Sequence, residues 1–295
     1  MRRCRVLLPA TLALAAALAA APPEAPPAPA RVVRYELAES RKSVSPAGER
    51  ASAVAGSVVV LDGSARWDLS SGTFPRTTAN SVVLGGRSGW FLDRRSSTAA
   101  RAGLDDLRAL FVPPPSGDSG PFQSRVAGLE AASEASKGPA FEGRPTARLR
   151  VTSSWSLVTS MPGRVSRARC RLTAVVDFVE DVPEGARSPL DDPGRLFDVP
   201  EKVWEALAPE LARVRGLPVT VVVGIETELA VDAPGTGASP SEGRAPIRTR
   251  SESRRTLTSL ATRPAAAGDA ALFSPAEEMH VVGIERLVEP LETLR

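Results

Sequence analysis

Residues 56–69, GSVVVLDGSARWDL, constrain this chain more than any other stretch. Asp62-Gly63 lies between two runs of alternating residues. A two-residue type I′ turn needs φ > 0 at both central positions, and Asp-Gly is one of the few pairs that accepts it. With the turn placed there, Leu61 faces Ser64, Val60 faces Ala65, Val59 faces Arg66 and Val58 faces Trp67. Val58, Val60, Ala65 and Trp67 then share one side. Arg66 and Asp68 take the other, with Val59 and Leu61. A slip of one residue would turn the whole apolar set outward, so turn and pattern specify the same register. The expectation is an antiparallel sheet built out from this hairpin.

Alternation continues on both sides of it. Residues 31–37 place Val33, Tyr35 and Leu37 opposite Arg34 and Glu36, a first strand. Residues 41–53 are polar and read as a loop or frayed edge. Residues 81–84 and 89–93 form a second hairpin about Gly85-Gly86-Arg87-Ser88, bringing Val83 near Trp90. Residues 103–111 carry Leu104, Leu107, Leu110 and Phe111 at helical spacing. Residues 112–143 are rich in Pro, Gly, Ser and Ala and read as a long loop.

The second β region is 147–179. Leu149, Val151, Ser153, Trp155 and Leu157 share a face, and Met161-Pro162-Gly163 supplies a turn. On the return, Ala168, Cys170, Leu172, Ala174, Val176 and Phe178 face one way, and Arg167, Arg169, Arg171 and Thr173 the other. That pattern is a half-buried strand with a basic outer row. Asp198 is a candidate cap for a helix over 201–215 whose apolar positions are Val203, Trp204, Leu207, Leu211 and Val214, with Pro209 expected to kink or split it and Gly216 to end it. Residues 217–230 alternate again, 232–246 read as a linker or hairpin tip, and 248–262 return as a strand. Leu272-Phe273-Ser274-Pro275 closes the fold, and 276–295 form a short helix or tail. The order of elements implies an α+β, mostly β chain: a single curved antiparallel sheet with two helical segments packed on its concave face.

Composition narrows the function classes. Residues 1–30 hold Arg2, Arg3 and Arg5, an apolar run from Val6 to about Ala21, and Ala-x-Ala positions such as Ala17 and Ala19, the pattern of an export signal. The apolar run is shorter than the about 20 residues a membrane span needs, so no stable transmembrane segment is expected after cleavage. The Pro/Ala-rich end of the segment serves as a stiff tether. Of 37 basic and 34 acidic residues, three arginines and Glu24 lie in this segment, leaving 34 and 33 beyond it. That balance leaves no electrostatic footprint for nucleic acid. Cys4 lies in the segment and Cys170 is then alone, so an internal disulfide is excluded and Cys170 reads as a small core residue.

Chemistry is sparse. Gly117-Asp118-Ser119-Gly120-Pro121 is similar to the nucleophile segment of trypsin-like serine proteases. That family's His and Asp precede the serine, whereas the only histidine here is His280, far downstream. His280 with Glu277 and Glu278 makes at most a weak carboxylate site, and no metal or other cofactor is expected. Glu226 and Glu228 sit on one strand face, where arginines across the sheet would account for them.

The early hairpins ending in ARWDLSSG and GWFLD resemble the LolA/LppX-type lipoprotein-carrier superfamily, as does the late order of helix, Gly216-Leu217-Pro218-Val219, strand, and a strand ending Leu272-Phe273-Ser274-Pro275. Within that superfamily the exported DUF4412 group is the nearest match. The resemblance implies an incomplete β-barrel over residues 31–275, with inserts at 112–143 and 232–246 and a tail at 276–295. It also implies a non-catalytic protein of the periplasm of a Gram-negative-type bacterium that binds a lipid or the acyl chain of a lipoprotein. Trp67, Trp90, Trp155, Trp204, Leu207 and Leu211 are then candidates to line the cleft, and Arg167, Arg169 and Arg171 to meet a headgroup. The alternatives are an envelope structural or protein-interaction module with no ligand and, more weakly, a hydrolase.

Overall fold

The computed structural model describes residues 30–74, 77–85, 88–103, 123–161, 164–183, 196–197, 199–231 and 246–287. They build one open sheet of twelve strands: β1 (Arg31–Ser45), β2 (Gly48–Leu61), β3 (Ser64–Ser71), β4 (Ser81–Gly85), β5 (Ser88–Asp93), β6 (Thr98–Gly103), β7 (Gln123–Lys137), β8 (Ala147–Met161), β9 (Arg164–Val179), β10 (Leu217–Val231), β11 (Ile247–Pro264) and β12 (His280–Val281). The order across the sheet is β12-β6-β5-β4-β3-β2-β1-β11-β10-β9-β8-β7. Neighbours are antiparallel except β12 and β6. One α-helix, α1 (Glu201–Leu211), is present among the described residues.

The β2–β3 hairpin has the expected register, Leu61 opposite Ser64 through Val58 opposite Trp67. Asp62 (φ 48°) and Gly63 (φ 75°) supply the two positive φ values of the turn. The second hairpin pairs Val83 with Trp90. Elsewhere the structure goes beyond or against the sequence pattern. Residues 41–53 are not a loop: β1 and β2 pair through them, with Val44 opposite Glu49. Residues 98–103 form β6, so Gly103 ends a strand instead of opening a helix, and the rest of that expected helix lies outside the described residues. Within the expected 112–143 loop, Gln123–Lys137 is a fifteen-residue strand on β8. Ser119 and residues 232–245 lie outside the described residues.

One face of the sheet is apolar along most of its width. Val33, Tyr35 and Leu37 on β1 continue into Val58 and Val60, then Ala65 and Trp67, all fully or almost fully buried. Each such valine or leucine stabilises the fold by about 1.5–3 kcal/mol relative to exposure. Across β11, Leu37 pairs with Leu257 but Tyr35 with Leu260. The one-residue bulge behind that mismatch keeps both leucines on the buried side. Towards β8 the same face carries Leu149, Val151, Leu172, Ala174, Val176, Val221 and Val223, a second cluster. Between the clusters Arg255 is almost fully buried with Glu39 3.5 Å away. Removing one member of such a pair costs about 3–5 kcal/mol, because the other charge stays buried. On the opposite face Arg148 donates two hydrogen bonds to the buried Asp177, at 2.6 and 2.9 Å, and that pairing raises the guanidinium's pKa.

α1 closes part of the second cluster with Val203, Leu207 and Leu211. It ends at Leu211, short of the expected Arg215. Pro209 does not split it; it lies in the last turn, and the helix stops two residues on. Pro200, not Asp198, is the N-cap, with no side-chain hydrogen bond, and Asp198 lies outside the described residues. The Ser133 hydroxyl and Arg213 both bond Glu210, tying the helix end to β7.

The C-terminal segment wraps the β6 edge. Asp269 holds Arg263 bidentately at 2.6 and 2.8 Å, and Arg66 donates to the Leu272 carbonyl at 3.1 Å. Phe273 and Met279 pack with Val83, Leu92 and Ala99 on the face opposite the main core. β12 then runs beside Thr98 and Ala99, after which Val282, Ile284 and Leu287 join the main cluster on the other side.

Candidate functional site

The site lies where β8, β9, β10 and β11 run side by side, and the register of these strands builds it. Trp155, Cys170 and Thr227 stand in one cross-strand row, continued by Thr249. On the alternate face Ser154, Arg171, Glu226 and Arg250 make a second row. Ser156, Arg169, Glu228 and Arg248 make a third. Residues of all three rows border a cavity of about 700 Å³, joined by Val44 and Gly128. That volume is within the range of small-molecule sites.

Gly128 explains part of the opening. Ala127 pairs with Ser156 and Glu130 with Ser154, so Gly128 and Leu129 together oppose Trp155. Gly128 has φ 61°, the left-handed conformation that such a bulge demands and glycine adopts without penalty. Leu129 packs on the cluster that contains Trp155, while Gly128 has open space where a Cβ would stand.

Of the lining residues, Val44 shares the arginine face, opposite Arg250, whereas the Trp155 and Cys170 side chains turn to the other, buried face with Leu207 and Leu211. Trp155 is 5 % exposed, and its indole N–H has no hydrogen-bond partner. Burial pushes the Cys170 thiol pKa up, opposed by the Thr227 hydroxyl, which donates to the sulfur at 3.7 Å. A thiol so placed is a poor nucleophile. The charged part holds four arginines and two glutamates. Arg248 pairs with Glu228 at 3.5 Å, and Arg250 with Glu252 at 3.8 Å. Both are exposed pairs, worth about 0–1 kcal/mol each. The strand pairing thus places arginines beside Glu226 and Glu228, as the sequence pattern required.

Of the residues singled out from sequence, Trp155, Arg169 and Arg171 meet at this cavity. The others stand elsewhere. Trp67 is fully buried in the first cluster, edge-on to Phe74 at 4.9 Å. Trp90 is on the far face beside Phe273 and Met279. Trp204 is half-buried on α1, 6.1 Å from Phe197. Leu207 and Leu211 are buried under α1 in the cluster that also contains Trp155. Arg167 is on β9 next to the site without lining it. Ser154, Ser156, Arg248 and Arg250 join Trp155, Arg169 and Arg171 through cross-strand register, which a single sequence does not carry between distant strands. His280 is exposed on the C-terminal segment. Among the described residues no group of His, Cys, Asp and Glu is arranged to hold a metal ion, and no helix is long and apolar enough to cross a membrane.

No protein-family model matches the chain, and no curated protein does. Among solved structures, the chain overlaps a domain from Vibrio parahaemolyticus provisionally labelled an outer membrane lipoprotein-sorting protein. Identity is 9 %, the overlap covers 82 % of this chain and 91 % of that one, and the TM-score is 0.26. Neisserial surface protein A overlaps at 8 % identity, over 77 % of this chain and 97 % of its own, with a TM-score of 0.17. Both scores are far below the level at which two chains share a fold.

Proposed function

We propose that this is a non-catalytic protein of the bacterial envelope that holds the acyl part of a lipid or lipoprotein. The single observation behind this reading is the cavity of about 700 Å³ on β8–β11, where Val44 and four arginines share one face of a sheet whose other face buries Trp155 and Cys170. A mixed lining of charged, hydroxyl and apolar groups at this volume supports an amphiphile as the occupant. The basic, apolar and small-residue start of residues 1–30 supports export to the periplasm of a Gram-negative-type bacterium. The hairpin order resembling the LolA/LppX carriers supports the same reading, with the sheet as an incomplete barrel and α1 as a cover on its concave side. No catalytic group is part of it. A hydrolase finds little support in a lone, exposed His280.

A second reading, an envelope interaction module, is favoured by one feature. β7 is a fifteen-residue strand at the end of the sheet, with no described strand on its outer side. Such an edge can add a strand from a partner. Native mass spectrometry of the protein isolated from the periplasm separates the two. A co-purifying adduct of lipid mass is expected. Protein that emerges bare, yet co-isolates with a partner protein lost on disrupting β7, would reverse the order of the readings.

A further inference from the structure

We propose that Ser154, Ser156, Arg169 and Arg171 form a binding site for a single phosphate or carboxylate group, so that the amphiphile held here carries an anionic head. The proposal rests on the acyl-binding reading only for the chain attached to that anion. All four residues line the cavity. Ser154 faces Arg171 and Ser156 faces Arg169 on the adjacent strands β8 and β9. Residues two apart on a strand are separated by about 7 Å, and facing residues on neighbouring strands by about 5 Å. The four side chains therefore leave one face of the sheet within a span that a single small oxyanion can bridge.

The neighbouring charges decide which arginines are available. Arg248 is engaged by Glu228 and Arg250 by Glu252. Arg169 and Arg171 make no ion pair or hydrogen bond among the described residues, and neither do the two serine hydroxyls. Glu226 opposite Arg171 and Glu228 opposite Arg169, both on β10, are the carboxylates that limit the site to one anion. Hydrogen bonds from guanidinium to phosphate or carboxylate are charge-assisted and can be bidentate, which favours such heads over neutral or cationic ones. The arginines are exposed, so the preference weakens with added salt.

The test is isothermal titration calorimetry at low ionic strength on the full chain, with dodecyl phosphate, dodecyl maltoside, dodecyltrimethylammonium and inorganic phosphate, each below its micellar concentration. Dodecyl phosphate is expected to bind about tenfold or more tightly than the maltoside, the scale of one hydrogen bond to a charged group. The double variant Arg169→Ala, Arg171→Ala, with its melting temperature checked, is expected to lose that advantage and bind the maltoside as before. Equal binding of phosphate and maltoside heads overturns the anion site and leaves the acyl reading standing. Binding of inorganic phosphate without any dodecyl compound supports the anion site and overturns the acyl reading. An advantage that survives the double substitution overturns the assignment to these arginines. Absence of all binding overturns both.

Discussion

Trp155 offers the sharpest check on the site. It is 5 % exposed, and its indole N–H donates to nothing. Two opposed terms follow. The ring is a large apolar body, and truncation to alanine is expected to cost about 3–5 kcal/mol, as for other buried aromatics. The unmade hydrogen bond already costs the native fold about 1–3 kcal/mol. Trp155→Phe keeps most of the ring and removes the orphaned donor. The lost area, on the order of 50 Å² at about 25 cal/mol per Å², is worth about 1 kcal/mol. The net expectation for the phenylalanine variant is therefore between no change and about 2 kcal/mol of added stability. At about 2–4 °C per kcal/mol for a domain of this size, it melts level with the native chain or a few degrees higher, while Trp155→Ala melts about 10 °C lower. Thermal unfolding followed by circular dichroism reads both. If the phenylalanine variant drops in step with the alanine one, the N–H has an acceptor, and the account of a buried, unpartnered indole is wrong.

Two further outcomes follow from the same structure. A Cβ on Gly216 would lie 1.9 Å from the Val179 carbonyl oxygen, where the start of β10 meets the end of β9, so Gly216→Ala should cost about 3 kcal/mol or more. Gly224→Ala, in the same strand with its nearest neighbour at 3.9 Å, should be neutral or stabilising by up to about 1 kcal/mol, and paired urea titrations check both. Arg263 and the Ala266 N–H lower the Asp269 pKa from 3.8 to about 2. Because the folded-state value is the lower one, the stabilisation is complete above pH 3.8 and is lost as pH falls towards 2. Melting temperatures of native and Asp269→Asn protein should therefore differ at neutral pH and converge near pH 2.

What the sequence made legible was local. The Asp62-Gly63 hairpin came out in register because turn chemistry and alternation both lie within fourteen residues. Gln123–Lys137 is rich in Ala, Ser and Glu with little alternation, so its sequence carries no strand signal and pairing to β8 makes it a strand. The polar ends of β1 and β2 carry none either: they are exposed, so no apolar pattern marks them. Trp155, Arg169 and Arg171 were visible as an aromatic on a buried face and arginines on an outer row. Their partners Ser154, Ser156, Arg248 and Arg250 depend on how β8 meets β9 and β10 meets β11. Trp67 on β3 and Trp90 on β5 look alike as sequence, yet the register across β4 sends them to opposite faces.

The wrapped β6 margin has a consequence for assembly. Unpaired strand margins are templates, and a sheet with two of them can recruit copies without end. Here one margin is six residues long, with the chain's own tail laid beside its first residues and carried over to the other face. Among the described residues, growth is thereby left a single long margin, β7. Two molecules joined there would each present only a strapped side outward, so edge-to-edge association ends in a closed pair and not a fibre.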